Sequence, residues 1–230
     1  MSIADDRLAA AKLSGGISSS AIYDAVLAAG RKAQPQPATI LDFGTGMGMF
    51  LPLLGHWFPS AELQAIDIME RPEGLAEGVR WHRGDLNLET PIPAASLDLI
   101  FAVEVIEHLE NPRHLMREFA RILAPHGVAV LSTPNTGSLR SLLTFAARGH
   151  HAQFDESNYP AHITPLSEVD FTRAAIEAGL CVEGFFYTNS GVIPKLLTRP
   201  WQSLPLVGRY LRGRRFSDNF GVVLRKASSI

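Results

Sequence analysis

The chain has a single cysteine, Cys181, among 230 residues. One thiol excludes a disulfide framework and iron–sulfur radical chemistry, and it fits a reducing, cytoplasmic compartment. Long apolar runs are also missing: none approaches the roughly 20 residues needed to span a bilayer. Residues 1–6 carry two acids and no apolar signal core, so no secretion signal is expected there. Charge of one sign is not in excess. With 21 Lys and Arg against 23 Asp and Glu, the net charge is -2, which gives no global pull toward nucleic acid. Internal repeats and low-complexity tracts are absent too. A chain of this length and composition suits one soluble domain with a sizeable core.

Two nucleotide signatures are also lacking. A dinucleotide fingerprint needs its third glycine where Met49 stands, and a phosphate loop needs Gly-Lys-Ser/Thr. What is present is Asp42-x-Gly44-x-Gly46-x-Gly48, with Thr45 between the first two glycines. The apolar run 40–43 ahead of it reads as a buried strand, and the amphipathic stretch 47–58 behind it as a helix. A strand delivered through glycines onto a helix start presents backbone N–H groups and the positive end of a dipole to a ligand. A tight strand-to-helix turn with no ligand is the plain alternative.

The rest of the chain alternates in the same rhythm. Ser18–Ser20 would cap a helix over 21–32 that Pro35 and Pro37 end. Residues 62–67 form a second strand ending in Asp67, 23 residues after Gly44, and residues 78–82 a third, followed by Gly84-Asp85-Leu86. Acids just beyond the carboxyl ends of strands suit the ribose and the adenine of a nucleotide-like ligand. A fourth strand spans 96–103, a helix 113–123 and a fifth strand 128–132. A helix to about Ala178 and a strand over 181–188 complete the pattern. Strand and helix in alternation call for an α/β, doubly wound, mostly parallel sheet.

The series ILDFGTGMG, AID, GDL, SLDLIFAVEVIEHLENP and REFARILAPHGVAVLSTPN, over about 38–135, resembles the class I S-adenosylmethionine (SAM)-dependent methyltransferases. Within them it is most similar to the branch with ubiquinone-type O-methyltransferases and glycan-cluster methyltransferases. The resemblance implies a Rossmann-like seven-stranded sheet whose last strand, over 219–226, is antiparallel. It places Asp42, Gly44, Thr45, Gly46 and Gly48 by the methionine part of SAM, Asp67 with Ile68 by the ribose, and Asp85 with Leu86 by the adenine. Glu104 would stand where the donor meets the methyl-transfer site. The whole of 1–230 is then one domain. Residues 1–38 act as a helical lid or packing segment, and 136–165 and 189–218 as insertions on the substrate side.

A sulfonium methyl is already a good electrophile, so the enzyme must align a nucleophile and, for a hydroxyl, help remove its proton. Glu104-x-x-Glu107-His108 puts two carboxylates and an imidazole at i, i+3 and i+4, one side of a helical turn. In ubiquinone-type and small-RNA 2′-O-methyltransferases this is a metal motif, the latter adding a distant histidine; His162 is the candidate here. Oxygen ligands would favour Mg2+. Two other roles stay open: His108 or His162 as a metal-free base, and a purely structural role for the cluster. His150, His151 and Tyr159 are further candidates on the substrate side.

The insertion interleaves Lys195, Arg199, Arg209, Arg212, Arg214 and Arg215 with Trp201, Leu204, Leu206, Val207, Tyr210 and Leu211. That mixture suits peripheral contact with a membrane through 195–215, or a phosphate-bearing lipid-linked acceptor; a solvated lid or dimer contact is the alternative. The expected activity is O-methylation of a sugar or glycan-precursor hydroxyl on a small or lipid-linked acceptor. Alternatives are a quinone-precursor phenol, a small amine, and a non-catalytic SAM-binding partner subunit.

Overall fold

The computed structural model describes residues 3–194 and 196–227, so Lys195 lies outside the described residues. The elements run α1 (Ile3–Ser14), α2 (Ser20–Ala33), β1 (Thr39–Phe43), α3 (Leu51–Trp57), β2 (Glu62–Asp67), β3 (Arg80–Arg83) and β4 (Leu97–Val103). A 3-10 turn at Ile106–His108 precedes α4 (Pro112–Ile122), which passes directly into β5 (Leu123–Pro134). Then come α5 (Leu139–Arg148), α6 (Glu168–Glu177), β6 (Leu180–Tyr187), a hairpin of β7 (Val192–Ile193) and β8 (Leu196–Pro200), and β9 (Asn219–Lys226).

Seven strands form one sheet in the order β3-β2-β1-β4-β5-β9-β6. All pairings are parallel except those of β9, which runs antiparallel to both neighbours. This is the expected Rossmann-like sheet with an antiparallel last strand. Six of the seven residues of β4 are buried, as a central strand covered on both faces requires. On one face, α2 and α3 cover the sheet through Ile22, Val26, Leu27, Leu51 and Leu54. On the other, α4 and α6 do so through Leu115, Phe119, Ile122, Phe171 and Ala175.

Several boundaries move, each for a local reason. The helix after the glycines spans only Leu51–Trp57, not 47–58: Pro52 sits in its first turn, where proline is tolerated, and Gly48 at φ 77 keeps the preceding residues in turns. The third strand begins at Arg80 rather than residue 78. The fifth starts at Leu123 because the Pro125–Gly127 turn is absorbed into the strand, with His126 at φ 64 and a register shift against Leu97/Leu99. Helix α2 is a core element. The segment that covers the cavity is α1, which the apolar pattern did not announce: none of its residues is buried.

Candidate active site

The carboxyl ends of β1, β2 and β4 open on a cavity of about 650 Å3, within the range of small-molecule sites. Asp42, Gly44, Thr45, Gly46, Asp67, Ile68, Asp85, Leu86, Glu104, His108 and His162 all line it, so the structure gathers nearly every residue singled out by sequence. Gly48 is outside this lining; its φ of 77 makes it a turn residue.

The glycine loop works differently from a bare anion cradle. Gly44 and Thr45 donate to the Ile66 carbonyl, Gly46 donates to Asp67 (2.8 Å), Met47 to the Gly16 carbonyl and Gly48 to the Thr45 carbonyl. These N–H groups are therefore spent inside the protein, and α3 starts too late for its dipole to act on the loop's ligand. Side chains are excluded for packing reasons. A Cβ on Gly46 would lie 2.4 Å from the Gly16 carbonyl oxygen, and one on Gly44 would lie 2.5 Å from Val105. Beneath the loop, Asp42 is buried and accepts the Thr45 hydroxyl; burial pushes its carboxyl up to about 7.

Asp67 accepts from two backbone N–H groups, those of Gly46 and Met69 (2.9 Å), which hold it rigidly at the end of β2. Asp85 accepts from Asn87 and from Arg7 at 2.6 Å. Burial would raise it, but the Asn87 N–H groups and the Arg7 guanidinium outweigh that and hold it below the usual carboxylate range. Arg7 also reaches Glu110 (2.6 Å) and thereby ties α1 across the cavity. Ile3, Asp6, Arg7, Ala10, Ala11 and Ser14 of α1 all face inward. Their spacing of three and four residues is a helical stripe, visible in the sequence but too weakly apolar to read as one.

Beyond β4 the expected single helical turn is broken. Glu104 adopts φ 55, its N–H bonds the Ser132 carbonyl, and the 3-10 turn begins only at Ile106. Glu104 and Glu107 stay close enough to interact but take separate hydrogen-bond partners. The Glu104 carboxyl accepts from Ser132 Oγ (2.8 Å) and Asn219 Nδ2 (2.6 Å). Burial, then the neighbouring Glu107, raise its pKa well above the ordinary value. Asn219 and Ser132 were not foreseen; they come from β9 and β5, far away in sequence. Glu107 is wholly buried; Oε2 accepts from Thr133 (3.1 Å), while Oε1 has no partner, and burial raises this carboxyl as well.

His108 Nδ1 lies 2.7 Å from the Ala161 carbonyl, and His162 Nδ1 lies 2.7 Å from the Gln153 carbonyl. A carbonyl only accepts, so both Nδ1 atoms carry the proton and both Nε2 atoms keep a lone pair. The rings meet edge to face at 4.9 Å. Burial lowers both histidines, and the proximity of His108 lowers His162 further. One ligand atom each from Glu107, His108 and His162 lie within 4.8 Å of one another. Glu104 is not a member of that group. The donor set is thus one carboxylate and two imidazoles, which suits a first-row transition ion better than the Mg2+ expected from two carboxylates. Tyr159 also lines the cavity, whereas His151 is drawn off to Ser141 (3.0 Å) and His150 to a backbone carbonyl.

Comparison with known proteins agrees with this geometry. The chain is 34% identical over 131 residues to the malonyl-[acyl-carrier protein] O-methyltransferase of Methylococcus capsulatus, covering 53% of this chain and 46% of that protein. It is 33% identical over 101 residues to trans-aconitate 2-methyltransferase of Azoarcus sp., covering 42% and 39%. The chain thus matches less than half the length of either curated relative. A solved structure of the 1,6-didemethyltoxoflavin-N1-methyltransferase of Burkholderia thailandensis, with bound S-adenosylhomocysteine, superposes with a TM-score of 0.59 at 14% identity, covering 91% and 79%. That likeness speaks for the fold. Residues 18–183 match the family described as "Methyltransferase domain", and with well over half of its length inside that match the chain belongs to this family.

Proposed function

We propose that the chain transfers a methyl group from SAM to the hydroxyl oxygen of an uncharged acceptor. The donor side follows from the family and from the acids at the ends of β2 and β3, Asp67 for the ribose and Asp85 for the adenine. The acceptor side rests on one observation: His108 and His162 both line the cavity, each with Nδ1 against a backbone carbonyl, which leaves Nε2 as the basic nitrogen of each ring. A neutral imidazole within reach of a hydroxyl accepts its proton as the oxygen attacks the sulfonium methyl in line. Breaking the methyl–sulfur bond then leaves S-adenosylhomocysteine.

The charge of the cavity narrows the acceptor. The acids Asp6, Asp67, Asp85 and Glu110 line it beside Asp42 and Glu104, whose burial favours the protonated form, against a single guanidinium among the described lining residues, Arg7. Arg7 is already held by two carboxylates. Malonyl and trans-aconitate, in the names of two relatives, are anions, and an anionic acceptor would enter this cavity without a free cation to receive it. Sugar and phenol hydroxyls meet no such penalty.

A second reading has its own support. Glu107 has a buried Oε1 without a partner, and one ligand atom each of Glu107, His108 and His162 lie within 4.8 Å of one another. A divalent transition ion held by Glu107, His108 and His162 would satisfy all three, with the Nδ1 bonds as outer-shell support. Such an ion would acidify a bound hydroxyl.

One experiment separates these. Methyl-labelled SAM is incubated with neutral sugars, phenols, dicarboxylic acids and amines, with and without EDTA. Label on a hydroxyl in the presence of EDTA is the expected result. Loss with EDTA and recovery with Mn2+, Co2+ or Zn2+ favours the ion. Label on the carboxylic acids alone overturns the acceptor assignment.

A further inference from the structure

Between β6 and β9, residues 189–218 hold six basic residues and one acid, Asp218, in a chain that is acidic overall. The segment also carries the most exposed large apolar side chain described, Leu206, at 91% exposure, with Tyr210 at 70% and Val207 at 50%. An apolar residue this bare at the tip of a loop gains nothing from the fold. It is nonetheless held there. Leu206 has φ 66, a conformation rarely adopted by a branched side chain, fixed by Val207 N–H donating to the Pro205 carbonyl and Gly208 N–H to the Leu204 carbonyl.

The loop has its own small base. Gln202 donates to the carbonyls of Leu211 (2.6 Å) and Phe216 (3.1 Å), and Trp201 packs edge to face on Phe216 at 5.4 Å. Gly208 is buried so tightly that a Cβ would lie 2.4 Å from the Gln202 carbonyl oxygen. Around the tip, Arg199, Arg209 and Arg212 are exposed, and Arg209 lies over the Tyr210 ring at 4.7 Å. Arg214 and Arg215 turn back instead, to Glu168 and to the Gly137 carbonyl.

We propose that the loop 199–212 docks the enzyme on an anionic lipid bilayer. Leu206 and Val207 would enter the boundary between headgroups and acyl chains, Tyr210 would lie at headgroup level, and the three arginines would meet lipid phosphates. The charge complementarity selects the occupant: three exposed arginines and no acid in residues 199–212, together with the bare apolar Leu206 and Val207, match a negatively charged lipid surface. No helix among the described residues is long and apolar enough to cross a membrane, so this contact is peripheral. The loop ends at Asn219, which pairs with Pro134 at the carboxyl end of β5, lines the cavity and holds Glu104. The docking loop thus belongs to the segment that leads into the carboxyl end of the sheet, where the cavity opens, which suits an acceptor hydroxyl presented by a lipid.

The test is sedimentation of the full chain with vesicles of phosphatidylcholine, with and without 30 mol % phosphatidylglycerol. Expected are binding to the anionic vesicles only, at least tenfold weaker binding for Leu206→Glu, and at least threefold weaker binding for Arg212→Glu. Raised salt should weaken the wild type more than Arg212→Glu. SAM affinity, measured by calorimetry, should be the same in all three proteins, which shows that the variants fold and separates this result from the donor site. Binding independent of lipid charge, no binding, or binding unchanged by Leu206→Glu overturns the proposal. So does a self-associating wild type that Leu206→Glu converts to a monomer without any vesicle binding.

Discussion

Two pairs of acids stand at the ends of neighbouring strands, three of them lining one cavity and the fourth, Glu107, buried outside its lining, and they are treated in opposite ways. Asp67 and Asp85, at the ends of β2 and β3, are each wrapped by N–H donors, and Asp85 also meets a guanidinium. Glu104 and Glu107, beyond the central strand β4, are buried beside each other with hydroxyls and one amide for company. Short loops beyond β2 and β3 turn the N–H groups of Met69 and Asn87 back onto their acids, whereas Glu104 and Glu107 draw side-chain donors from β5 and β9. Both acids of the first pair accept several hydrogen bonds, and Asp85 is held below the usual carboxylate range. The second keeps protons or calls for a cation. In the proposed reading, the first pair belongs to the donor side of the cavity and the second to the acceptor side.

The sharpest way to break this division is His108→Gln. It should lower kcat about 10²–10⁴-fold in a labelled-methyl assay, while calorimetry finds SAM affinity unchanged. An equal loss in both measurements would merge the two sides into one.

Asp42→Asn probes the floor of the donor side. The folded carboxyl is raised to about 7 from an ordinary 3.8, so folding favours its protonated form. Stability from this group is complete below the unfolded pKa and is lost as pH climbs through about 7. The asparagine variant should be more stable than wild type at pH 8, by a few kcal/mol in order of magnitude, with the gap closing toward pH 4. Urea melts at the two pH values check this.

Asp67→Ala should weaken SAM about tenfold or more, near 1.4 kcal/mol, read by calorimetry. An unchanged affinity would remove Asp67 from ribose recognition. The smallest effect is expected from Arg7→Ala. Its ion pairs lie partly in solvent, so stability should fall by less than about 1 kcal/mol, and the release rate of SAM in stopped flow should rise a few-fold because α1 is no longer tied to Asp85 and Glu110.

Much of this was legible in the sequence, and the physical reasons for the exceptions are consistent. The alternation of strands and helices, the glycine turn and the acids at strand ends are local patterns, so β2 over 62–67 emerges with its observed limits, while β9 over 219–226 was placed by the family resemblance. Helix α2 was legible from Ile22, Val26 and Leu27 on one face. Helix α1 was not, because alanines and charges leave its inward stripe without an apolar signal. Nor were the separate partners of Glu104 and Glu107: helical spacing assumes helical backbone, and the Ser132 carbonyl from β5 captures the Glu104 N–H instead. Asn219 on Glu104, Gly16 against Gly46 and the Nδ1 bonds of His108 and His162 all join residues distant in the chain. The sequence by itself determined which strands form and which side chains stand at their ends. Only the tertiary structure decided which acids keep a charge, which imidazole nitrogen stays basic in each ring and which glycines yield to packing, because burial and long-range hydrogen bonds exist only once the layers have closed.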